Sequence, residues 1–340
     1  MVKIAIAGGS GNVAQEIIDV LVATKKHDIL LLSRQDAPTE GTAPGVRWIR
    51  TKYEDTQELA AVLQGVHTVL SFIVVHSDIG NVSQRNLIDA AIQAGVKRFA
   101  PSEWASSSFE HMDWYAGKAE IRKYLEHLNK HEKVLEYSLF QPGIFTNYFT
   151  HPHKSASHVV PIETPIDFQR HRALVVDGAD NARLTLTTVQ DLAQVVALAV
   201  EYTGEWPVIG GIRGTELTVK QLIAIGEKIR GLFLAYTPVF SRSREQALTR
   251  NVAGEHFAVE RLKAEDLEAG ELKSSWKPTA RHPAFSEEQF HAISAKLMSG
   301  VLLGISAGAL HVSDEWNRLL PEYRFSQAED FLAEAWRDKA

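Results

Sequence analysis

The sequence predicts an α/β fold: a Rossmann-type doubly wound parallel sheet with a smaller, mainly helical C-terminal substrate-binding part. An apolar run from Ile4 to Ala7 enters a glycine turn, and Val13, Ile17 and Leu21 follow at helical spacing. Strand and helix patterns then alternate with short connections through the first half of the chain, as a parallel sheet requires. The second half is punctuated by helix caps, Thr188 with Asp191, Thr218 with Gln221 and Ser286 with Gln289.

The opening stretch has the order a dinucleotide needs: strand, tight turn, helix. Gly8 lets the chain leave the strand sharply. Gly11, without a Cβ, lets backbone approach a pyrophosphate on the helix N-terminus, and Ala14 is the small residue where helix presses on sheet. The spacing is G-x-x-G-x-x-A, and the turn lacks the lysine and hydroxyl of a P-loop. The second strand, Asp28 to Leu32, ends in Ser33 and Arg34. A carboxylate is the usual partner of an NAD ribose at this place. An arginine instead grips a 2′-phosphate with two charge-assisted hydrogen bonds, which points to NADP(H).

A loop with Pro38, Gly41, Pro44 and Gly45 leads to a third strand, Val46 to Ile49. Asp55 and Glu58 open a helix carrying Leu59, Val62 and Leu63. The fourth strand is read as Thr68 to Val75, followed by a helix with Leu87, Ile88, Ala91 and Ile92. The fifth, Val96 to Ala100, is closed by Pro101-Ser102-Glu103-Trp104. A helix over 118–130 presents Ile121, Leu125 and Leu128, and the sixth strand, Glu136 to Phe140, ends at Gln141-Pro142-Gly143. An irregular segment rich in aromatics and histidines then leaves the carboxyl edge of the sheet, where ligands of open α/β sheets bind. Domain boundaries follow: 1–150 as the NADP-binding part, with 186–210 returning to it, and 151–185 plus 211–340 as the substrate-binding part.

Composition excludes several classes of function. The 340 residues are 45% hydrophobic and 23% charged, ordinary for a globular protein. A net charge of −6 gives no general attraction to nucleic acid, and Arg242, Arg244 and Arg250 are too sparse, with Glu245 among them, to reverse that. With no cysteine there are no disulfides, thiolate chemistry or cysteine-bound metals. Neither a leader peptide nor a membrane-spanning run is evident, so a cytoplasmic protein, monomer or homodimer, is expected. His151 and His153 lack a third ligand at a recognisable spacing, so no metal is expected.

Between the fifth strand and the next helix lies Met112-Asp-Trp114-Tyr115-Ala-Gly-Lys118. Many reductases of this fold use Y-x-x-x-K; here Trp114 stands four residues before Lys118 and Tyr115 three. A lysine in the first turn of a helix opposes the macrodipole, so it needs another reason to be there. Desolvated, it suits proton transfer near neutrality.

The runs Arg98 to Trp104, Tyr115 to Arg122 and Tyr137 to Phe149 resemble the isoflavone-reductase and phenylcoumaran-benzylic-ether-reductase group. That group belongs to the NmrA-like, atypical short-chain dehydrogenase superfamily. Thr185 to Asp191, Gly204 to Pro207 and Ser313 to Pro321 are more similar to fungal NmrA-like proteins than to the plant enzymes. The resemblance implies an F-x-x-K stretch whose aromatic and lysine fall on Tyr115 and Lys118. It also implies an NADPH site matching Gly8, Gly11, Ala14 and Arg34. The expected cofactor contacts are Gly8, Ser10, Gly11, Asn12, Val13, Ser33, Arg34, Phe72, Ser102, Lys118, Pro142 and Phe145. Lys118 and Tyr115 are the expected catalytic pair. Trp104, Met112, Trp114, Tyr148, Phe149, His151 and His153 are the expected contacts of a small aromatic substrate. The implied activity is hydride transfer to an aromatic, phenolic or enone-type molecule in secondary metabolism. A non-catalytic NADP sensor and a redox-neutral isomerase or cyclase remain as alternatives.

Overall fold

Side chains of the first strand, β1 (Val2–Ala7), alternate between two cores: Ile4 and Ile6 pack on one face of the sheet, Ala5 and Ala7 on the other. A strand buried on both faces is what helices on both sides of a parallel sheet demand. The computed structural model describes residues 2–38, 42–236, 256–279 and 287–339. Ser286 and the arginines 242, 244 and 250 lie outside them.

The elements run α1 (Asn12–Thr24), β2 (His27–Ser33), β3 (Val46–Arg50), α2 (Thr56–Val62), β4 (Thr68–Ser71), α3 (Val82–Gln93), β5 (Arg98–Ala100), α4 (Ala116–Leu128) and β6 (Glu136–Tyr137). The six strands form one parallel sheet in the order β3-β2-β1-β4-β5-β6. The order reverses beside β1, and that switch point is where a crevice opens in such sheets. The expected cap of α2 forms: Asp55 Oδ1 accepts from the amides of Gln57 (2.7 Å) and Glu58 (3.1 Å).

Three strands are shorter or more broken than the sequence implies, and β5 begins at Arg98, not Val96. β4 stops at Ser71, not Val75. Its neighbours have ended by then, β1 in the Gly8 turn and β5 at Pro101, so residues beyond the Phe72 N–H bond to Ala7 O (2.8 Å) have nothing to pair with. The sixth strand is interrupted at Ser138. Glu136 and Tyr137 pair with β5, whereas Leu139–Gln141 pairs parallel with Ile209–Gly211.

The helix α5 (Val189–Glu201) packs against α1 in the same core as Ile4 and Ile6. Thr188 caps it by accepting from the Asp191 amide at 3.0 Å, and Thr218 with Gln221 forms a reciprocal cap. Beyond the main sheet, helices are joined by two three-stranded sheets. Ala258–Leu262, Arg172–Val176 and Ile166–Asp167 make one, and Thr215–Thr218, Arg183–Thr187 and Ile144–Phe145 the other. The long helix Glu287–Ser306 packs across the first of these and against the turn at 111–114. Gly300 permits that approach, since a Cβ there would fall 2.4 Å from His111 O and 2.6 Å from the Trp114 ring.

Gly8 is the position where the turn depends on glycine. Its φ is +71°, and a Cβ would lie 2.8 Å from the Phe72 carbonyl oxygen. Gly8→Ala is expected to lose about 1–3 kcal/mol of stability, seen as a lower urea midpoint at an unchanged slope.

Candidate active site

The turn after β1 closes on itself. Gly8 N–H donates to Leu32 O and Gly11 N–H to Gly8 O, both at 3.1 Å. Helix α1 then starts without a side-chain cap and without an acid in its first turn. Its free N–H groups, with the positive end of the helix dipole, suit a phosphate. Ser10, Gly11, Asn12, Val13 and Ala14 line one end of a cavity of about 600 Å³. The residues present therefore fit a dinucleotide. Arg34 is exposed at the end of β2, two residues past the Leu32 carbonyl that receives both Gly8 N–H and the Tyr53 hydroxyl (2.8 Å). Arg34 thus follows directly on the strand whose end is tied to the turn.

Lys118 sits in the first turn of α4, buried, and its ammonium donates to the Glu103 carbonyl oxygen. The Glu103 carboxylate, 1% exposed, is held by Arg122: Nε reaches Oε1 at 3.0 Å and Nη2 reaches Oε2 at 2.6 Å. Arg122 also donates to Ser107 O (2.7 Å) and Ser106 O (3.0 Å), and its guanidinium lies 4.0 Å over the Phe109 ring. Phe109 in turn meets Tyr115 edge-on, and the Tyr115 ring lies 4.2 Å from the Lys118 ammonium. Burial brings the Lys118 amine down to about 8; the Glu103 charge opposes that fall and the Arg122 charge adds to it. Burial also pushes the phenols of Tyr115 and Tyr148 up, so both stay protonated.

Of the residues expected to bind cofactor or substrate, the cavity gathers Ser10, Gly11, Asn12, Val13, Phe72, Ser102, Trp104, Met112, Trp114, Tyr115, Lys118, Phe145, Tyr148 and Phe149. Gly8, Ser33, Arg34 and Pro142 lie outside its lining. Gly8 shapes the turn instead, and Ser33 Oγ accepts from the Gln35 amide at 3.1 Å. Three of the expected substrate contacts stand differently from the rest. His151 and His153 are off the cavity, and the His153 ring meets Trp336 edge-on at 5.1 Å. Trp104 stacks on Phe72 (4.4 Å) and on Phe140 (5.5 Å), so part of its ring is engaged within the protein where it lines the cavity. Among the described residues no three His, Asp or Glu side chains converge as metal ligands, and no helix is long and apolar enough to cross a membrane.

Sequence reasoning missed several contributors. The Glu103–Arg122 pair was hidden by 19 residues of separation. Tyr53, whose hydroxyl also accepts from the Gly8 amide at 3.2 Å, has no local motif. The far wall, from residues 159–166 and the helix Glu287–Ser306, is set by packing alone.

Fold and site together define an α/β protein of the dinucleotide-binding type whose cavity is lined by both the glycine turn and a buried lysine. The model of the NmrA-like family matches residues 2–282, and the chain belongs to that family. "Oxidoreductase BOA1" of Botryotinia fuckeliana is 29% identical over 234 residues, covering 68% of this chain and 77% of that one. Among solved structures, AtPrR2 with NADP+ and (+)-pinoresinol has a TM-score of 0.64 at 18% identity over 98% of both chains. Isoflavone reductase is similar at a TM-score of 0.64 and 17% identity, again over 98% of both chains. These likenesses confirm the fold.

Glu103→Gln is expected to lose about 3 kcal/mol of stability, the low end for a broken buried pair because a fifth of the Arg122 side chain meets water. Urea unfolding checks the loss. The Lys118 amine should also titrate lower in that variant, since the carboxylate opposes the effect of burial; the pH dependence of amine acylation reads this.

Proposed function

We propose that the protein is an NADP(H)-dependent oxidoreductase that reduces an aromatic, phenolic or enone-type small molecule, with Lys118 as the proton donor. One observation carries this reading: a buried amine titrating near 8 lines the same apolar cavity as the glycine turn. The dinucleotide, when bound, supplies the hydride. The open N-terminus of α1 holds the pyrophosphate, and Arg34 holds the 2′-phosphate. Lys118, fixed by the Glu103 carbonyl and resting on Tyr115, gives a proton to the substrate oxygen as the neighbouring carbon is reduced. Phe72, Phe145, Tyr148 and Phe149 exclude water around that transfer. The similarity to the oxidoreductase BOA1 and the NADP+ in AtPrR2 support the reading.

A donor must carry its proton, and an amine with a lowered pKa carries it only below that pKa. Turnover at low substrate should therefore be level below pH 8 and fall about tenfold per unit above it, followed by NADPH absorbance. Lys118→Ala should lose about 10²–10⁴-fold in kcat while NADPH still binds; full activity in this variant removes the proposed role. Arg34→Ala should weaken NADPH binding by about 1.5–3 kcal/mol and leave NADH nearly unchanged, as measured by nicotinamide fluorescence titration.

A further inference from the structure

We propose that the part of the cavity beyond Lys118 is a binding site for an extended hydrocarbon body, so that the substrate is a ketone or enone with one polar head and an apolar remainder. The identity of the head rests on the reductase reading; the binding of the tail does not. The helix Glu287–Ser306 turns Ser294, Leu297, Met298, Val301, Leu302 and Ile305 toward the cavity. These positions recur at three and four residues along one face and span about 16 Å at 1.5 Å per residue. Leu174 and Val176 face them from the strand Arg172–Val176, and Val159 and Ile162 from the preceding loop.

This chamber is continuous with the head of the site. Trp114 and Met112, four and six residues before Lys118 on the same segment's approach to Tyr115 and α4, pack directly against Gly300 and Gly304 of the helix. Polarity falls sharply along the way. At the head stand Lys118, Tyr115, Tyr148 and Ser102. In the chamber the polar side chains are Glu163, Thr164 and Ser294, and two of them are already engaged. Glu163 accepts from the Thr279 amide (2.5 Å) and hydroxyl (2.6 Å) on one oxygen and from Arg170 (3.1 Å) on the other. The Thr164 hydroxyl donates to Ile166 O at 2.8 Å. Among the described residues that leaves the Ser294 hydroxyl. A molecule with hydroxyls spread over its rings would bury several of them without partners, whereas a hydrocarbon body would lose nothing.

The test is calorimetric titration of the NADP+-loaded protein with methyl n-alkyl ketones of increasing chain length, and with chalcone against a polyhydroxylated chalcone. Affinity should rise about fourfold per added methylene until the chamber is full, and chalcone should bind at least tenfold more tightly than its hydroxylated analogue. A flat ketone series, or a polyhydroxylated chalcone that binds as tightly as chalcone, overturns the proposal. Tail-dependent binding without NADPH oxidation supports the chamber and overturns the reductase reading. NADPH oxidation indifferent to tail length does the reverse. Val301→Trp, with the milder Val301→Phe beside it in case the indole prevents folding, should end the gain at shorter tails while NADPH binds unchanged. An unaltered series in either folded variant also counts against the chamber.

Discussion

The ion pair between Glu103 and Arg122 is the constraint on which the site depends. Glu103 follows β5, at the carboxyl edge of the sheet, and Arg122 is one turn along α4 from Lys118. Joined by two hydrogen bonds, they fasten the loop to the helix, and the Glu103 carbonyl is then presented to the Lys118 amine. A buried carboxylate without this partner would be unaffordable in free energy, and an arginine without it would face out. The pair also explains why a lysine is tolerated at a helix N-terminus. Its ammonium meets a carbonyl oxygen and an aromatic face rather than the bare N–H groups of the first turn.

A second constraint links the sheet to the chain's far end. Trp104 has φ +56° and lies between Phe72 and Phe140, while Phe140 stacks in turn on Trp316 at 5.3 Å. Four rings therefore run from the loop after β4 to the helix Glu315–Leu319. The Trp104 indole N–H donates to Ser71 O at 2.8 Å, which fixes the stack to the strand end. Residues more than 200 positions apart thus share one column beside the cavity.

Much of the fold was legible because local rules and tertiary demands agree in the first half. The run Ile4 to Ala7, the small residues Gly8, Gly11 and Ala14, and the cap at Asp55 each satisfy their propensity and their packing at once. Lys118 was legible through its conflict with the helix dipole. What stayed hidden depended on partners distant in sequence. Nothing local marks where β4 ends, since that follows from the ends of β1 and β5. Histidines 151 and 153 lie in a segment that does line the cavity, through Tyr148 and Phe149, but the chain turns away after Thr150. Gly300 reads in sequence as an unfavourable helix residue, and only the Trp114 ring against it gives the reason.

Burial links the chemistry of the head to the composition of the tail. The Lys118 amine titrates low because burial takes water from its charged form, and the cavity it lines extends to Met298 and Val301. A more polar chamber would admit water, resolvate the ammonium and return its pKa toward that of a free lysine. On the proposed reading, the same apolar wall sets the proton donor's working range and selects the molecule it meets. A substrate that fills the chamber with hydrocarbon keeps the amine desolvated during the reaction, whereas one that carried hydroxyls and their water into it would weaken the donor it needs.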